Sequence, residues 1–124
     1  MPFLYIAIGG ALGSMARYAL STWTIQSFLF ARFPIGTFVV NIVGCLIVGV
    51  LAGLGEKYQL FSNDARLFIF TGIMGGFTTF SAFGLETLQL LRQHELVVAV
   101  TYITLSVIVG IFLLAAGFYI TQKI

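Results

Sequence analysis

The sequence predicts an all-α membrane protein: four transmembrane helices in a single domain over residues 1–124. Three observations predict it. Only 8% of the residues are charged and 60% are hydrophobic, whereas a soluble domain carries about 25% charged residues. Four apolar stretches, 3–27, 34–55, 67–91 and 96–122, are each long enough to cross a hydrocarbon core, which takes about 20 residues. The connections between them are short and hold much of the charge: Arg32 in the first, Glu56, Lys57, Asp64 and Arg66 in the second, Arg92, His94 and Glu95 in the third. Segments this apolar must satisfy their own backbone hydrogen bonds in lipid, so they are read as helices.

The first stretch lacks a basic n-region, outruns the apolar core of a secretory signal, and precedes three more stretches, so it reads as a span and not a leader. It carries Gly9, Gly13 and, on a similar face, Arg17. Arg17 near the end of a span has two readings. It snorkels to the interface, or it is a fixed positive charge at the mouth of an anion path. The second stretch contains the only cysteine, Cys45, which has no partner for an intramolecular disulfide. It also contains Asn41, roughly 10 Å deep at about 1.5 Å per residue. That amide is either a helix–helix hydrogen bond or an anion ligand through its two N–H donors. Thr37 lies one turn before it on the same face and Gly44 one turn after.

The third stretch reads Thr71-Gly72-Ile73-Met74-Gly75-Gly76-Phe77-Thr78-Thr79-Phe80-Ser81-Ala82-Phe83. Paired glycines followed by two threonines are poor helix formers, so a break is expected in this helix. Irregular backbone at such depth is tolerated where protein or a cavity covers it. A break offers carbonyls to a cation and a new helix N-terminus to an anion. Phe80 and Phe83, at i and i+3, project from one face, either as packing or as part of a site. Glu86 follows one turn later. In the fourth stretch Tyr102 and Ser106 share a face, with Thr101 and Thr104 nearby. Their hydroxyls either back-bond to the i−4 carbonyl or form a ladder of donors.

Charge and size speak to assembly. Lys57, Arg66 and Lys123 fall on the side of the termini, and Arg32, Arg92 and Arg17 toward the other. Basic residues normally gather on the cytoplasmic side and fix orientation; this balance fixes none. The expectation is insertion in both orientations and an antiparallel, dual-topology homodimer. The pairs Gly9/Gly13, Gly49/Gly53 and Gly72/Gly76 have the spacing that lets helices approach closely, and with the small size they favour a tightly packed oligomer. A formal charge of +2 without a basic cluster gives nucleic-acid binding no support. With no nucleophile–base pair and no metal-ligand cluster, no enzyme is expected.

Three strings together resemble a known family. Gly9-Gly10-Ala11-Leu12-Gly13-Ser14-Met15-Ala16-Arg17 resembles the GGxxGxxxR signature of the Fluc/CrcB family of fluoride channels. Pro34-Ile35-Gly36-Thr37-Phe38-Val39-Val40-Asn41-Ile42-Val43-Gly44 resembles its PxGTxxVNxxG motif. Gly75-Gly76-Phe77-Thr78-Thr79-Phe80-Ser81-Ala82-Phe83 is similar to its GGxTTFSTF motif, departing at Ala82. The resemblance covers essentially the whole chain. It implies a fluoride-selective passive channel in a bacterial-type inner membrane, exporting fluoride and built as an antiparallel homodimer with a structural sodium ion at its centre. It implies that Asn41 donates to fluoride, that Phe80 and Phe83 form an aromatic box, and that the carbonyls of Gly75 and Thr78 hold the sodium. Thr37, Thr79, Ser81, Glu86, Tyr102 and Ser106 match polar positions along the route, and Arg17 the anion vestibule. The rivals are a small drug–proton antiporter and a non-conducting membrane anchor. The antiporter needs an acid in its first helix, where this chain has Arg17.

Overall fold

The computed structural model describes residues 1–28 and 32–124. Four helices among them are long and apolar enough to cross a membrane: Pro2–Ser27, Ile35–Tyr58, Asn63–Arg92 and Leu96–Lys123. No described residue lies in a strand. The first span opens with Pro2, where the missing N–H costs nothing because the first turn has no acceptors for it. The second continues past its apolar run to Tyr58 and stops at Gln59, whose backbone is left-handed at φ 51°. The third starts at Asn63, capped by the Ser62 hydroxyl, which accepts from the Ala65 N–H at 3.2 Å.

The third span is assembled from unlike pieces. One α-helical turn, Asn63–Arg66, leads into a π-helix, Leu67–Met74, and then into Gly75–Phe77. Thr78 (φ −89°, ψ 155°) and Thr79 (φ −148°, ψ 116°) are extended. An α-helix resumes over Phe80–Arg92, with the Thr79 hydroxyl accepting from the Ala82 N–H at 3.2 Å as its N-cap. It ends in a Schellman turn: the His94 N–H donates to Leu91 O at 3.1 Å and the Glu95 N–H to Leu90 O at 2.9 Å. His94 occupies the left-handed position at φ 60°.

The second and fourth spans pack along each other, and the first packs against residues 67–77. Glycines set both approaches. A Cβ on Gly13 would overlap the Ile73 carbonyl and sit 3.0 Å from the Phe77 nitrogen; one on Gly49 would overlap the Leu114 carbonyl. These close-packing glycines bring helices of one chain together. Two small cores result. One gathers Val40, Met74 and Phe77; the other gathers Leu90, Ala99 and Tyr102. Large apolar side chains such as Met15, Trp23, Ile108 and Phe112 face outward, as they do on a surface met by lipid.

Candidate functional site

The extended pair Thr78–Thr79 is held from two sides. From the second span, Asn41 takes both backbone groups of Thr79: its Nδ2 donates to the Thr79 carbonyl at 3.0 Å, and its Oδ1 accepts from the Thr79 N–H at 2.9 Å. From the first span, the Arg17 Nε donates to the Gly76 carbonyl at 2.9 Å. In a regular α-helix the N–H of residue i donates to the carbonyl of i−4, and several groups at the break are diverted from that pairing. The Thr79 N–H goes to Asn41, so the Gly75 carbonyl has no helical donor. The Ala82 N–H goes to the Thr79 hydroxyl, so the Thr78 carbonyl has none either. The Thr78 side chain closes the preceding turn, donating to Met74 O at 2.9 Å. Bare backbone oxygens in mid-span are the donor type that holds a hard cation. Among the described residues no three His, Cys, Asp or Glu side chains converge to hold a metal.

Beside the break lies a groove of about 340 Å3, lined by Asn41, Thr78, Thr79, Phe80, Phe83 and Ser106 along with Gly44, Cys45 and aliphatic neighbours. Phe80 is 83% exposed. Its ring centre is 5.8 Å from that of Phe83, which in turn stands 5.0 Å from the Tyr102 ring. A file of three aromatic rings therefore runs from the open groove into the chain. At its inner end Tyr102 is fully buried, and the Thr37 hydroxyl donates to a Glu86 carboxylate oxygen. The Tyr102 hydroxyl lies near Thr37 and Glu86 without meeting hydrogen-bond geometry, and the Ser106 hydroxyl oxygen is also buried and unpaired. Two such groups leave donors unused at a cost of about 1–3 kcal/mol each, unless something in the pathway accepts from them.

A second space, about 170 Å3, is bounded by Ser14, Arg17, Tyr18, Ser21, Thr37, Val40, Thr79 and Ala82. It places Arg17 next to Thr37 and Thr79, with the break between this space and the groove. Glu86, Tyr102, Ser81 and Gly75 line neither space; the Ser81 hydroxyl stands 3.5 Å from that of Thr79. Three polar lining residues escape a reading by motif. Cys45 follows Asn41 by one turn, and Ser14 and Ser21 flank Arg17 at i−3 and i+4, so face periodicity alone would have located them.

Residues 4–118 match the family model described as CrcB-like protein, camphor resistance. A protein of Methylobacillus flagellatus named fluoride-specific ion channel FluC is 50% identical over 119 residues, covering 96% of this chain and 93% of its own. Proteins of the same name from Flavobacterium psychrophilum and Helicobacter acinonychis are 43% and 41% identical, covering 97% and 98% of this chain and 96% and 95% of their own. None of these names supports the antiporter or the anchor. With a match over nearly its whole length and relatives of its own size, the chain belongs to the CrcB-like family.

Proposed function

We propose that this chain is the subunit of a fluoride-selective, passive ion channel in a bacterial-type inner membrane, through which fluoride leaves the cell. The observation that carries this reading is the groove at the break, where an amide, hydroxyls and two phenylalanine rings meet on a chain whose relatives bear a fluoride-channel name. Fluoride is small and strongly hydrated, so a pathway must replace its water shell with donors. The edge of a phenylalanine ring is electropositive and its face electronegative. Ring edges hold an anion weakly, and the second N–H of Asn41 and the hydroxyls of Thr79 and Ser106 add hydrogen bonds. Farther in, Tyr102, Thr37 and Glu86 continue the polar route. Weak, successive sites are what rapid conduction requires. In an acidic medium fluoride enters cells as neutral HF and dissociates inside, so a passive pathway for the anion lowers its cytoplasmic level.

The groove is open on one side and Phe80 is uncovered. An antiparallel second copy would close it, which agrees with the balanced basic residues. The Gly75 and Thr78 carbonyls, without helical donors, fit a sodium ion in chemistry; bound there, it would supply positive charge to the break.

Efflux from liposomes tests the function. The purified protein is reconstituted with internal potassium fluoride or chloride, and external anion is followed by electrode after valinomycin. Rapid fluoride release without comparable chloride release is expected; absence of fluoride release from a folded, verified dimer refutes the channel.

A further inference from the structure

Arg17 is half-buried and faces two surroundings. Its Nε donates to the Gly76 carbonyl at 2.9 Å, and the residue lines the space shared with Ser14, Ser21, Thr37 and Thr79. A charge at a vestibule needs no such bond. The Gly76 carbonyl lies in the sequence between the two carbonyls assigned to the cation, and it too has lost its helical donor, because Phe80 belongs to the next helix. Left alone, Gly75, Gly76, Phe77 (whose helical donor, Ser81, also belongs to the next helix) and Thr78 would compete as cation donors, with glycines adjacent and free to turn. An arginine stays protonated and makes a charge-assisted bond, which removes Gly76 from the set.

We propose that Arg17 is a positioning residue for the cation site: by holding the Gly76 carbonyl it fixes the peptide planes of the break, so that Gly75 and Thr78 are the carbonyls presented. The same residue lines the second space, so one side chain joins the cation site to the anion approach. This assignment rests on the reading of Gly75 and Thr78 as cation ligands.

Two variants separate the bond from the charge. In Arg17→Gln the side-chain Nε2 stands at the same place along the chain as the arginine Nε, so the donor survives and the charge is lost. In Arg17→Met a methyl group stands there, and both are lost. The full-length protein, reconstituted as wild type and as each variant, is melted over a range of sodium concentrations, with a bulky organic cation holding ionic strength constant. Wild type and Arg17→Gln are expected to reach half of the sodium-dependent rise in melting temperature at similar concentrations. Arg17→Met is expected to need on the order of tenfold more sodium. Equal shifts in the two variants, or none in either, overturn the proposal. Hydrogen exchange at the Thr79 and Ala82 amides in sodium-free buffer supplies the second readout. Arg17→Met should exchange on the order of tenfold faster and Arg17→Gln at the wild-type rate. A wild-type protein indifferent to sodium overturns the cation reading and the purpose assigned to Arg17; exchange still accelerated only in Arg17→Met then identifies the cation as what failed, with Arg17 kept as the tether of the break.

Discussion

At the scale of single residues, Asn41 stands with one donor and one acceptor committed to Thr79 and one N–H remaining for an ion. Asn41→Asp keeps the acceptor for the Thr79 N–H, but it sets a carboxylate oxygen against the Thr79 carbonyl and puts a negative charge in an anion path. Fluoride efflux should fall at least about tenfold, since a lost buried hydrogen bond to a charged or polar group alone is worth about 1.5 kcal/mol; efflux at the wild-type rate would show that the amide donor is not needed. Phe80 and Phe83 differ in what else they do. Phe83 packs on Tyr102 at 5.0 Å between ring centres, while Phe80 is 83% exposed on the single chain. Phe80→Ile and Phe83→Ile should both reduce fluoride efflux with the dimer still eluting intact. Phe83→Ile breaks two ring contacts and Phe80→Ile one, so Phe83→Ile should lower stability more, by about 1 kcal/mol for the additional pair. Unchanged efflux in both would remove the rings from the mechanism. Intramembrane polar residues were legible in the sequence as costly exceptions among apolar ones. Their partners were not. Arg17 meets a carbonyl 59 residues away and Asn41 a peptide 38 away, and no local pattern encodes which backbone group a long-range side chain will reach.

At the scale of elements, the four spans were legible because lipid imposes one solution, the helix, on any long apolar run. Their internal irregularities were less so. Gly-Gly followed by Thr-Thr signals weak helix propensity, but the π-helix at Leu67–Met74 has no such signature; its residues, including Ile69 and Met74, are ordinary in an α-helix. The glycine pairs announced close approach without saying between which helices. The turn after the third span permits a clean prediction. His94 holds the left-handed position of a Schellman motif, at a cost of about 1–2 kcal/mol for an L side chain. A glycine avoids that cost and adds a smaller entropic penalty, about 0.5–1 kcal/mol. His94→Gly should therefore raise stability by about 0.5 kcal/mol, read as a higher unfolding midpoint in detergent, with fluoride efflux unchanged. A lowered midpoint would mean that the His94 side chain makes a contact worth more than the strain. The neighbouring ion pair, Arg32 to Glu95 at 3.5 Å with Arg32 74% exposed, adds little by comparison.

At the scale of the whole molecule, one chain leaves several features uncovered. It has a groove open on one side, a break with bare carbonyls, and basic residues on both faces: Lys57, Arg66 and Lys123 toward the termini, Arg32 and Arg92 toward the other, with Arg17 drawn to the break between them. Pairing with an inverted copy would close the groove and bring two breaks together, and the charge balance removes the usual bar to inserting both ways. Passive and selective conduction of fluoride can be read from the reversal potential of the current across a planar bilayer with a tenfold fluoride gradient. Chloride is made symmetric and pH equal on the two sides. Reversal is expected at the fluoride equilibrium potential, about 59 mV for a monovalent ion, unmoved when a pH gradient is added. A reversal near zero would show that fluoride is not the selected ion, and one that follows the pH gradient would show a coupled transporter in place of a channel.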